Sequence, residues 1–233
     1  MIWEDLALLF STIKGLTLKD TASKNSDISL SEEIAQRIRE KIISADFVPG
    51  QRLAEVLLSE ELSVSRNTLR EAFRFLVQEG LLEYKSNRGV FVIKPDSKSV
   101  TDIYLIRKII ECQALLEAFP AHAAVRNMRR AVDQALCYSA CGDWNGVGTA
   151  NMDFHRSIVE LANSQRLSQF YRSILAELRL IFVMFNDPEH LHLPFITMNQ
   201  SILSFVEDGD IPSAVSALRK YLRQSEKMLL DAF

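Results

Sequence analysis

The sequence predicts a mainly α-helical protein that is divided into two domains. Apolar residues recur at helical spacing along most of the chain, and only two short apolar runs, at 81–84 and 90–93, have the pattern of strands. The polar segment Lys94–Ser99 separates these runs from a long second helical region. With 233 residues, of which 48% are hydrophobic, the chain is large enough to bury a core in each part.

The composition restricts the classes of protein to which the chain can belong. Its 27 basic and 30 acidic residues leave a net charge of −3, so any nucleic-acid site has to be a local feature. Three cysteines are too few for the disulfide framework of a small secreted domain, and we expect buried thiols in the reducing cytoplasm. No apolar run approaches the length of about 18 residues that spans a bilayer, so no membrane partner is expected.

Residues 1–27 are predicted to be an extension outside both domains. Glu4 and Asp5 stand where a signal peptide would have basic residues. The polar segment Leu16–Asp27 has the composition of a linker. A short amphipathic helix before it is predicted by apolar residues at helical spacing, namely Ile2, Leu6, Leu9, Phe10 and Ile13.

The first domain, 28–95, is predicted to contain three helices followed by a two-stranded hairpin. The first helix begins at Ser31 with an acidic first turn and ends before the turn at Pro49-Gly50. The other predicted bounds are Val56–Leu62, Ser65 to about Gln78, Leu81–Tyr84 and Val90–Ile93. This order of elements is that of a winged helix-turn-helix, a fold that places a recognition helix in the major groove of DNA.

The charges of this domain favour a DNA interface. Arg66, Arg70 and Arg74 recur every four residues, so they form one row on the exposed face of the third helix. Guanidinium groups in such a row can each bind a phosphate or a guanine edge with two hydrogen bonds. A solvated helix face neutralised by Glu71 would explain the row alone. The tight turn before the helix and the basic hairpin, with Arg88 at its tip, favour DNA binding instead.

The segment Pro49–Val92 resembles the winged helix of GntR-type bacterial transcription regulators. The elements PG-x-x-L, L-x-VSR-x-x-LREA, L-x-x-EGL and RG-x-FV occur in the family's order and spacing. Ser63 stands where the family usually has a glycine in the turn. The resemblance implies that the start of the third helix and the tip of the wing contact the operator, through Ser65, Arg66, Asn67, Thr68, Arg70 and Gly89.

The second domain, 97–233, is predicted to be an all-α bundle of about six helices. Their predicted bounds are 100–116, a helix of uncertain ends within 125–145, Ala150–Leu161, Leu167–Phe185, Pro194–Val206 and Ile211–Leu230. With R-x-x-x-E at Arg107–Glu111, Phe154-His155 and a Gly-Asp pair before the last helix, the region resembles the FadR-type C-terminal (FCD) domain in a VanR-like arrangement. That domain is the effector-binding and dimerisation module of one GntR subfamily, and the resemblance implies both roles here.

The resemblance also implies a metal site, but this chain has changed the residues that would form it. Many FCD domains hold a divalent metal with one aspartate and three histidines. The matching positions here are Asn151, His155, Asn199 and Tyr221, so one ligand of the four is retained. Asparagine and neutral tyrosine are poor ligands for a zinc-class ion, so we predict a degenerate site with no metal and no cofactor.

The same four residues are expected to converge on a polar pocket inside the bundle. Buried polar groups need hydrogen-bond partners, which a small effector could supply. Arg107 and Arg179 are expected to border this pocket and would suit a carboxylate, so an organic acid is the expected effector. Arg172 is expected at the surface, and His190 and His192 are expected to be solvated in a loop.

These observations predict a ligand-responsive repressor that binds an inverted-repeat operator in double-stranded DNA as a homodimer. Two copies are needed because one helix-turn-helix reads only a short half-site. Two alternatives stay open: an enzyme, or a small-molecule-binding or partner-binding helical protein, with a vestigial winged helix. No nucleophile–base set, phosphate loop or paired carboxylates support an enzyme, so none is predicted.

Overall fold

Three helices and a three-stranded antiparallel sheet form the first part of the chain that the structure describes. The computed structural model describes residues 29–231 and Phe233. The elements of this part are α1 (Leu30–Ile43), β1 (Arg52–Leu53), α2 (Glu55–Glu61), α3 (Arg66–Gln78), β2 (Leu82–Lys85) and β3 (Gly89–Val92). The sheet has the order β1-β3-β2, so β3 is its central strand. The helix and linker predicted within 1–27 lie outside the described residues.

The short strand β1 was not predicted, because two residues show no alternation of apolar and polar side chains. It forms by antiparallel pairing with β3, which places Arg52 opposite Phe91 and Leu53 opposite Val90. Burial of Leu53 in the core stabilises this pairing. Because β2 pairs with the other edge of β3, the central strand β3 is paired on both edges.

Serine side chains fix the beginnings of α1 and α3. Ser29, rather than Ser31, caps α1: its Oγ accepts a hydrogen bond from the Glu32 N–H at 3.2 Å, and the Glu32 carboxylate accepts from the Ser29 N–H at 2.8 Å. Ser65 begins α3 in the same manner, with its Oγ accepting from the Thr68 N–H at 3.1 Å. Between α2 and α3, Ser63 adopts a φ of 55°, the left-handed conformation that glycine reaches at lower cost.

Six helices form the C-terminal bundle, as the hydrophobic periodicity predicts. Their bounds are α4 (Ser97–Leu115), α5 (Ala123–Ala140), α6 (Trp144–Glu160), α7 (Gln165–Val183), α8 (Pro188–Glu207) and α9 (Ile211–Leu230). The turn between α5 and α6 contains Gly142 with a φ of 75°. Across the described residues no helix is long and apolar enough to cross a membrane.

Two helices of the bundle begin six residues earlier than predicted. Helix α6 begins at Trp144 instead of Ala150, because the Asp143 carboxylate caps it by accepting from the Gly146 N–H at 2.9 Å. Helix α8 begins at Pro188 instead of Pro194, with Asp187 as its cap, so Pro194 lies within the helix. A proline in the first helical position is favourable because that residue has no intrahelical N–H bond to lose.

Helix α7 belongs to both hydrophobic cores. Tyr171 and Leu178 lie in the core of the bundle. On another face of the same helix, Ala176 and Leu180 are buried in the core of the winged helix, which also contains Ile38 and other apolar residues of α1. A change in the position of α7 therefore reaches the packing of both parts.

Candidate functional site

Most of the predicted DNA-contacting residues are exposed on the winged helix. Ser65, Arg66, Asn67, Arg70, Arg74, Arg88 and Gly89 are exposed, and Thr68 is half-buried beneath the Ser65 cap. The first turn of α3 therefore presents unpaired backbone N–H groups and short polar side chains together. Such a helix N-terminus attracts phosphate groups.

Two of the three arginines in the predicted row are paired with carboxylates. Arg70 Nε lies 2.8 Å from Glu55 Oε2, and Arg74 Nη1 lies 2.6 Å from Glu71 Oε1. Arg66 has no ion pair within the part of the chain that the structure describes. Exposed ion pairs of this kind contribute about 0–1 kcal/mol, so a DNA phosphate can displace the carboxylates at little cost.

Arg52 is a further basic residue near the tip of the wing, and the sequence pattern did not predict its position. It lies exposed on β1 beside the tip of the wing, where a Cβ placed on Gly89 would be 3.6 Å from Arg52 Nε. Gly89 itself has a φ of 97°, which a residue with a side chain rarely adopts. Arg52 is the arginine that follows Pro49-Gly50 by two positions in the sequence, but its proximity to the wing depends on the unpredicted strand β1.

Inside the bundle, a buried carboxylate organises the first half of a polar network. Glu111 Oε1 accepts from Arg107 Nε at 2.7 Å and from the Tyr171 hydroxyl at 2.5 Å, and Glu111 Oε2 lies 2.6 Å from His155 Nδ1. Arg107 and Glu111 are fully buried, and the guanidinium lies over the Tyr104 ring at 4.9 Å. The spacing of R-x-x-x-E brings the first two residues together, because positions i and i+4 share one face of a helix.

The second half of the network is formed by the residues at the other family metal positions. Asn151 Oδ1 accepts from Asn199 Nδ2 at 2.7 Å and from the Tyr221 hydroxyl at 2.9 Å. The rings of His155 and Tyr221 are in contact, with 4.5 Å between their centroids. Helices α6, α8 and α9 thus bring together the four residues that the sequence pattern aligned, and α4 adds Arg107.

Four polar atoms of this network are buried and have no hydrogen-bond partner in residues 29–231 or at Phe233. They are Arg107 Nη1, Arg107 Nη2, His155 Nε2 and Asn199 Oδ1. Leaving a buried polar group without a partner costs about 1–3 kcal/mol, so several such atoms on adjoining residues indicate a place for a bound molecule or ordered water.

The ion pair fixes the charges inside the network. Burial alone would raise the pKa of Glu111, but Arg107 and then His155 hold it at about 2. Burial alone would lower the pKa of Arg107, and Glu111 raises it well above its ordinary value. Burial lowers the pKa of His155, against the opposing charge of Glu111. The network therefore contains an ionised carboxylate, a guanidinium cation and a neutral imidazole at pH 7.

Arg179 and His192 lie in a separate buried cluster. Arg179 Nη2 donates to Thr149 Oγ1, and the structure gives Arg179 no hydrogen bond to the described residues of the network. His192 is buried on α8 with its ring against Phe182, so the prediction of a solvated loop is wrong for this residue. Burial and the nearby Arg179 lower the pKa of His192 to about 4. His190 is exposed, but it too lies on α8 rather than in a loop.

The residues at the family metal positions do not fit a divalent ion. Asn151 Oδ1 is already engaged by two donors, and burial raises the pKa of Tyr221, so its hydroxyl stays neutral and donates. His155 Nε2 is then the one basic nitrogen that a metal could use at these positions. Over the described residues, no group of three or more His, Cys, Asp or Glu side chains is arranged to hold a metal.

Tyr171 and Glu111 complete the network, although the sequence pattern did not predict them as effector-site residues. Glu111 was present in the R-x-x-x-E motif and could have been included, because a buried arginine needs an acidic partner. No spacing pattern connects Tyr171 to Glu111, since 60 residues separate them and only the packing of α7 on α4 brings them together.

The fold, the exposed arginines of the winged helix and the buried polar network together define a class of protein. It is a winged-helix DNA-binding domain joined to a helical domain with an internal polar site. The sequence model of "Bacterial regulatory proteins, gntR family" matches residues 30–92, and that of the "FCD domain" matches residues 102–224. The chain belongs to the GntR family of transcription regulators and carries the FCD effector-binding domain. It is a DNA-binding regulator and not an enzyme.

Known proteins with the same two domains extend over most of the chain. A protein from Rhodococcus sp. RHA1, described as a GntR transcriptional regulator, is 36% identical with a TM-score of 0.80, covering 87% of this chain and 98% of its own. A regulatory protein of the L-lactate dehydrogenase operon in Escherichia coli (strain K12) is 29% identical over 215 residues, 83% of each chain. The galactonate operon transcriptional repressor of the same organism is 26% identical over 175 residues, 66% of this chain and 76% of its own.

Proposed function

We propose that this regulator is a homodimeric repressor of the cytoplasm that binds a short inverted-repeat operator and is released by a small carboxylate-bearing metabolite. The observation that carries the proposal is the fully buried Arg107, whose Nη1 and Nη2 have no partner among the described residues. A guanidinium with both Nη groups available is arranged to bind a carboxylate with two parallel hydrogen bonds.

The free hydrogen-bond donors of Arg107 support an anionic effector. Glu111 is paired through Arg107 Nε, and it also accepts from two further donors. A carboxylate that binds Nη1 and Nη2 of Arg107 therefore meets a guanidinium that Glu111 already holds in position through Nε. Two relatives are named for operons of L-lactate dehydrogenase and galactonate, both of which concern organic acids, and one of them is named a repressor.

The exposed face of α4 supports a homodimer. Leu105, Ile109, Leu116 and Phe119 lie along α4 and the segment after it, and each is more than half exposed. Apolar side chains in one continuous stripe favour burial against a partner. A second copy is the occupant that we propose, because two winged helices on a two-fold axis are needed to read an inverted repeat.

Selection of binding sites from random DNA duplexes tests the DNA-binding part of this proposal. We expect an enriched inverted repeat, bound with an affinity that falls steeply as salt rises. Arg66→Ala and Arg70→Ala should each cost about 1–3 kcal/mol of binding free energy if they read bases. Arg126→Ala, on the first turns of α5 in the bundle, is the control and should leave operator binding unchanged. Enrichment without any repeat would contradict the proposal.

Release of the selected operator by carboxylic acids tests the effector part. Arg107→Lys keeps a cation beside Glu111 but removes the pair of Nη groups, so we expect operator binding to remain while release by the acid is lost. The matched control is Arg172→Lys, which changes a half-exposed arginine on α7 outside the network. Equal release from wild type and Arg107→Lys would contradict carboxylate binding at Arg107.

A further inference from the structure

We propose that Arg52 of β1 is a specificity-determining residue of the DNA interface. Its guanidinium enters the minor groove beside the recognition helix and selects operators that are rich in A·T pairs at that place. Arg52 stands at an unspecified position of the PG-x-x-L element, so neither the arginine row on α3 nor the wing motif predicts a contact for it. The inference rests on the inverted-repeat operator that we propose above.

Strand β1 holds the Arg52 side chain against the tip of the wing. The pairing of β1 with β3 places Arg52 opposite Phe91. A Cβ on Gly89 would lie 3.6 Å from Arg52 Nε and 3.8 Å from Arg52 Nη2, so the guanidinium packs on the glycine where another residue would carry its side chain. Because α3 is the helix that enters the major groove, the wing beside it meets the adjacent minor groove. Arg52 therefore reaches the same groove as the tip of the wing.

Positive charge accumulates at the tip of the wing beyond what the described residues neutralise. Lys85 Nζ lies 4.7 Å and Arg88 Cζ lies 5.6 Å from the centroid of the Phe91 ring. Lys85 is paired with Glu83 at 2.8 Å, whereas neither Arg52 nor Arg88 has an ion pair in the described part of the chain. Like charges held this close repel one another, so an anionic partner at the tip of the wing is favourable.

A narrow minor groove supplies the negative potential that this group of cations requires. The groove narrows in runs of A·T pairs, and its potential becomes more negative there. An arginine suits such a groove better than a lysine, because a guanidinium is more weakly hydrated than an ammonium group. Lys85 is engaged by Glu83 and the Arg88 guanidinium by the Phe91 ring, so among the described residues Arg52 is the wing-tip cation left to enter the groove.

Two simpler roles for Arg52 give different expectations. A contact to a phosphate would strengthen binding to every sequence equally, because the backbone carries no sequence information directly. A structural role, in which Arg52 only supports the wing at Gly89, would also act on every duplex alike. Only a contact inside the groove makes the effect of Arg52 depend on the base pairs that lie there.

Operator duplexes that differ in their flanking base pairs test the proposal on the full-length protein. The selected operator is synthesised with the base pairs on either side of each half-site as A·T, as G·C or as inosine·cytosine. Inosine lacks the N2 amino group of guanine, so its pair with cytosine resembles A·T in the minor groove and G·C in the major groove. We expect the A·T and inosine duplexes to bind alike and the G·C duplex to bind about tenfold more weakly, which is a typical effect of one unfavourable base pair.

Two substitutions of Arg52 separate charge from groove binding, and a third variant is the matched control. Arg52→Gln should remove the preference for A·T, so the ratio of affinities should fall to about one. Arg52→Lys keeps a charge for phosphates, so its salt dependence should stay as in the wild type while the ratio falls to about threefold or less. Arg37→Gln changes an exposed arginine of α1 and should leave the wild-type ratio. Thermal melting without DNA shows that the variants fold before their affinities are compared.

The outcomes distinguish a failure of this inference from a failure of the proposed operator. Equal affinity of the wild type for the A·T and G·C duplexes would overturn the inference alone, and so would an inosine duplex that binds as weakly as the G·C duplex. If Arg52→Gln weakens binding to every duplex but retains the wild-type ratio, Arg52 has a phosphate-binding or structural role and the inference is overturned too. A selection that enriches no inverted repeat would overturn the proposed operator and the inference with it.

Discussion

At the scale of single residues, the interior of the bundle is controlled by which groups hold protons. Glu111 keeps its negative charge because three donors surround it, and His155 keeps its proton on Nδ1 because Glu111 can only accept. Arg107 Nη1 and Nη2 have no hydrogen-bond partner among the described residues, because Glu111 bonds the guanidinium through Nε. The ligand specificity that we propose is therefore a consequence of one buried carboxylate.

Spacing in the sequence predicted part of this site. Asn151 and His155 are four residues apart, and a helix must place them on one face, so their proximity could be predicted without a structure. The proximity of Asn151 and Asn199 could be predicted only through the resemblance to the family. The bond between Tyr171 and Glu111 could not be predicted from the sequence. Contacts between distant segments depend on how α7 packs across α4, which no local pattern records.

The two histidines of α8 lead to a prediction about pH. Burial and Arg179 lower the pKa of His192 to about 4, whereas in the unfolded chain it is close to 6.5. A lowered histidine pKa gives stability that is present above the unfolded pKa and lost as pH falls towards the folded pKa. We therefore expect the contribution of His192 to the free energy of unfolding to fall between pH 6.5 and 4, by up to about 3 kcal/mol.

Urea denaturation at a series of pH values measures this loss. His192→Gln should flatten the dependence between pH 6.5 and 4, because glutamine does not titrate. His190→Gln, which changes an exposed histidine on the same helix, should leave the wild-type profile. Parallel profiles for the two variants would show that His192 does not titrate with a lowered pKa.

At the scale of elements, the hydrophobic periodicity determines which helices form and capping residues determine where they begin. The periodicity of α6 and α8 becomes regular only after Ala150 and Pro194, so the predicted starts were six residues late in both helices. Asp143 and Asp187 caused the difference, since each caps a first turn that contains few periodic apolar residues. The starts of α6 and α8 are therefore set by the capping aspartates upstream of each apolar stripe.

Helix α7 connects the polar network to the winged helix, and a pair of leucine variants tests whether it transmits the effector signal. Leu180 lies in the core of the winged helix and Leu178 in the core of the bundle, and both are fully buried. Either Leu→Ala change should cost about 2–5 kcal/mol of stability. We expect only Leu180→Ala to reduce the ratio of operator affinities without and with the acid, because it loosens α7 from α1 and leaves the Tyr171 contact with Glu111 in place.

The measurement is the operator dissociation constant of each variant at zero and at saturating acid, below its melting temperature. Calorimetry of acid binding is the accompanying control, since Leu180→Ala should bind the acid as the wild type does. Equal ratios in the two variants, or a smaller ratio in Leu178→Ala, would contradict a role of this face of α7 in coupling.

At the scale of the whole molecule, the chain has a net charge of −3, although its winged helix exposes several arginines. Arg52, Arg66, Arg70 and Arg88 are all exposed, whereas the total composition is slightly acidic. Long-range attraction to DNA is therefore weak, and binding depends on a close local fit. The polar segment Lys94–Ser99 predicts a division into two parts. It does not predict the packing of α7 into the core of the winged helix, because that packing joins residues more than 80 positions apart.

The assembly of two chains is the last prediction, and the exposed face of α4 determines it. Leu105, Ile109 and Leu116 are each more than half exposed on one stripe, and burying such side chains against a second copy yields about 25 cal/mol per Å² of apolar area. We expect light scattering to give a mass near twice the 26.5 kDa of the chain at micromolar concentration.

Ile109→Glu places a charge at the centre of the stripe and should give a monomer, with operator affinity lowered because one half-site is lost. Leu193→Glu is the matched control, since Leu193 is about half exposed on α8, and it should remain a dimer. A dimer that survives Ile109→Glu but not Leu193→Glu would assign the interface to α8, and a wild-type monomer would contradict the proposed assembly altogether.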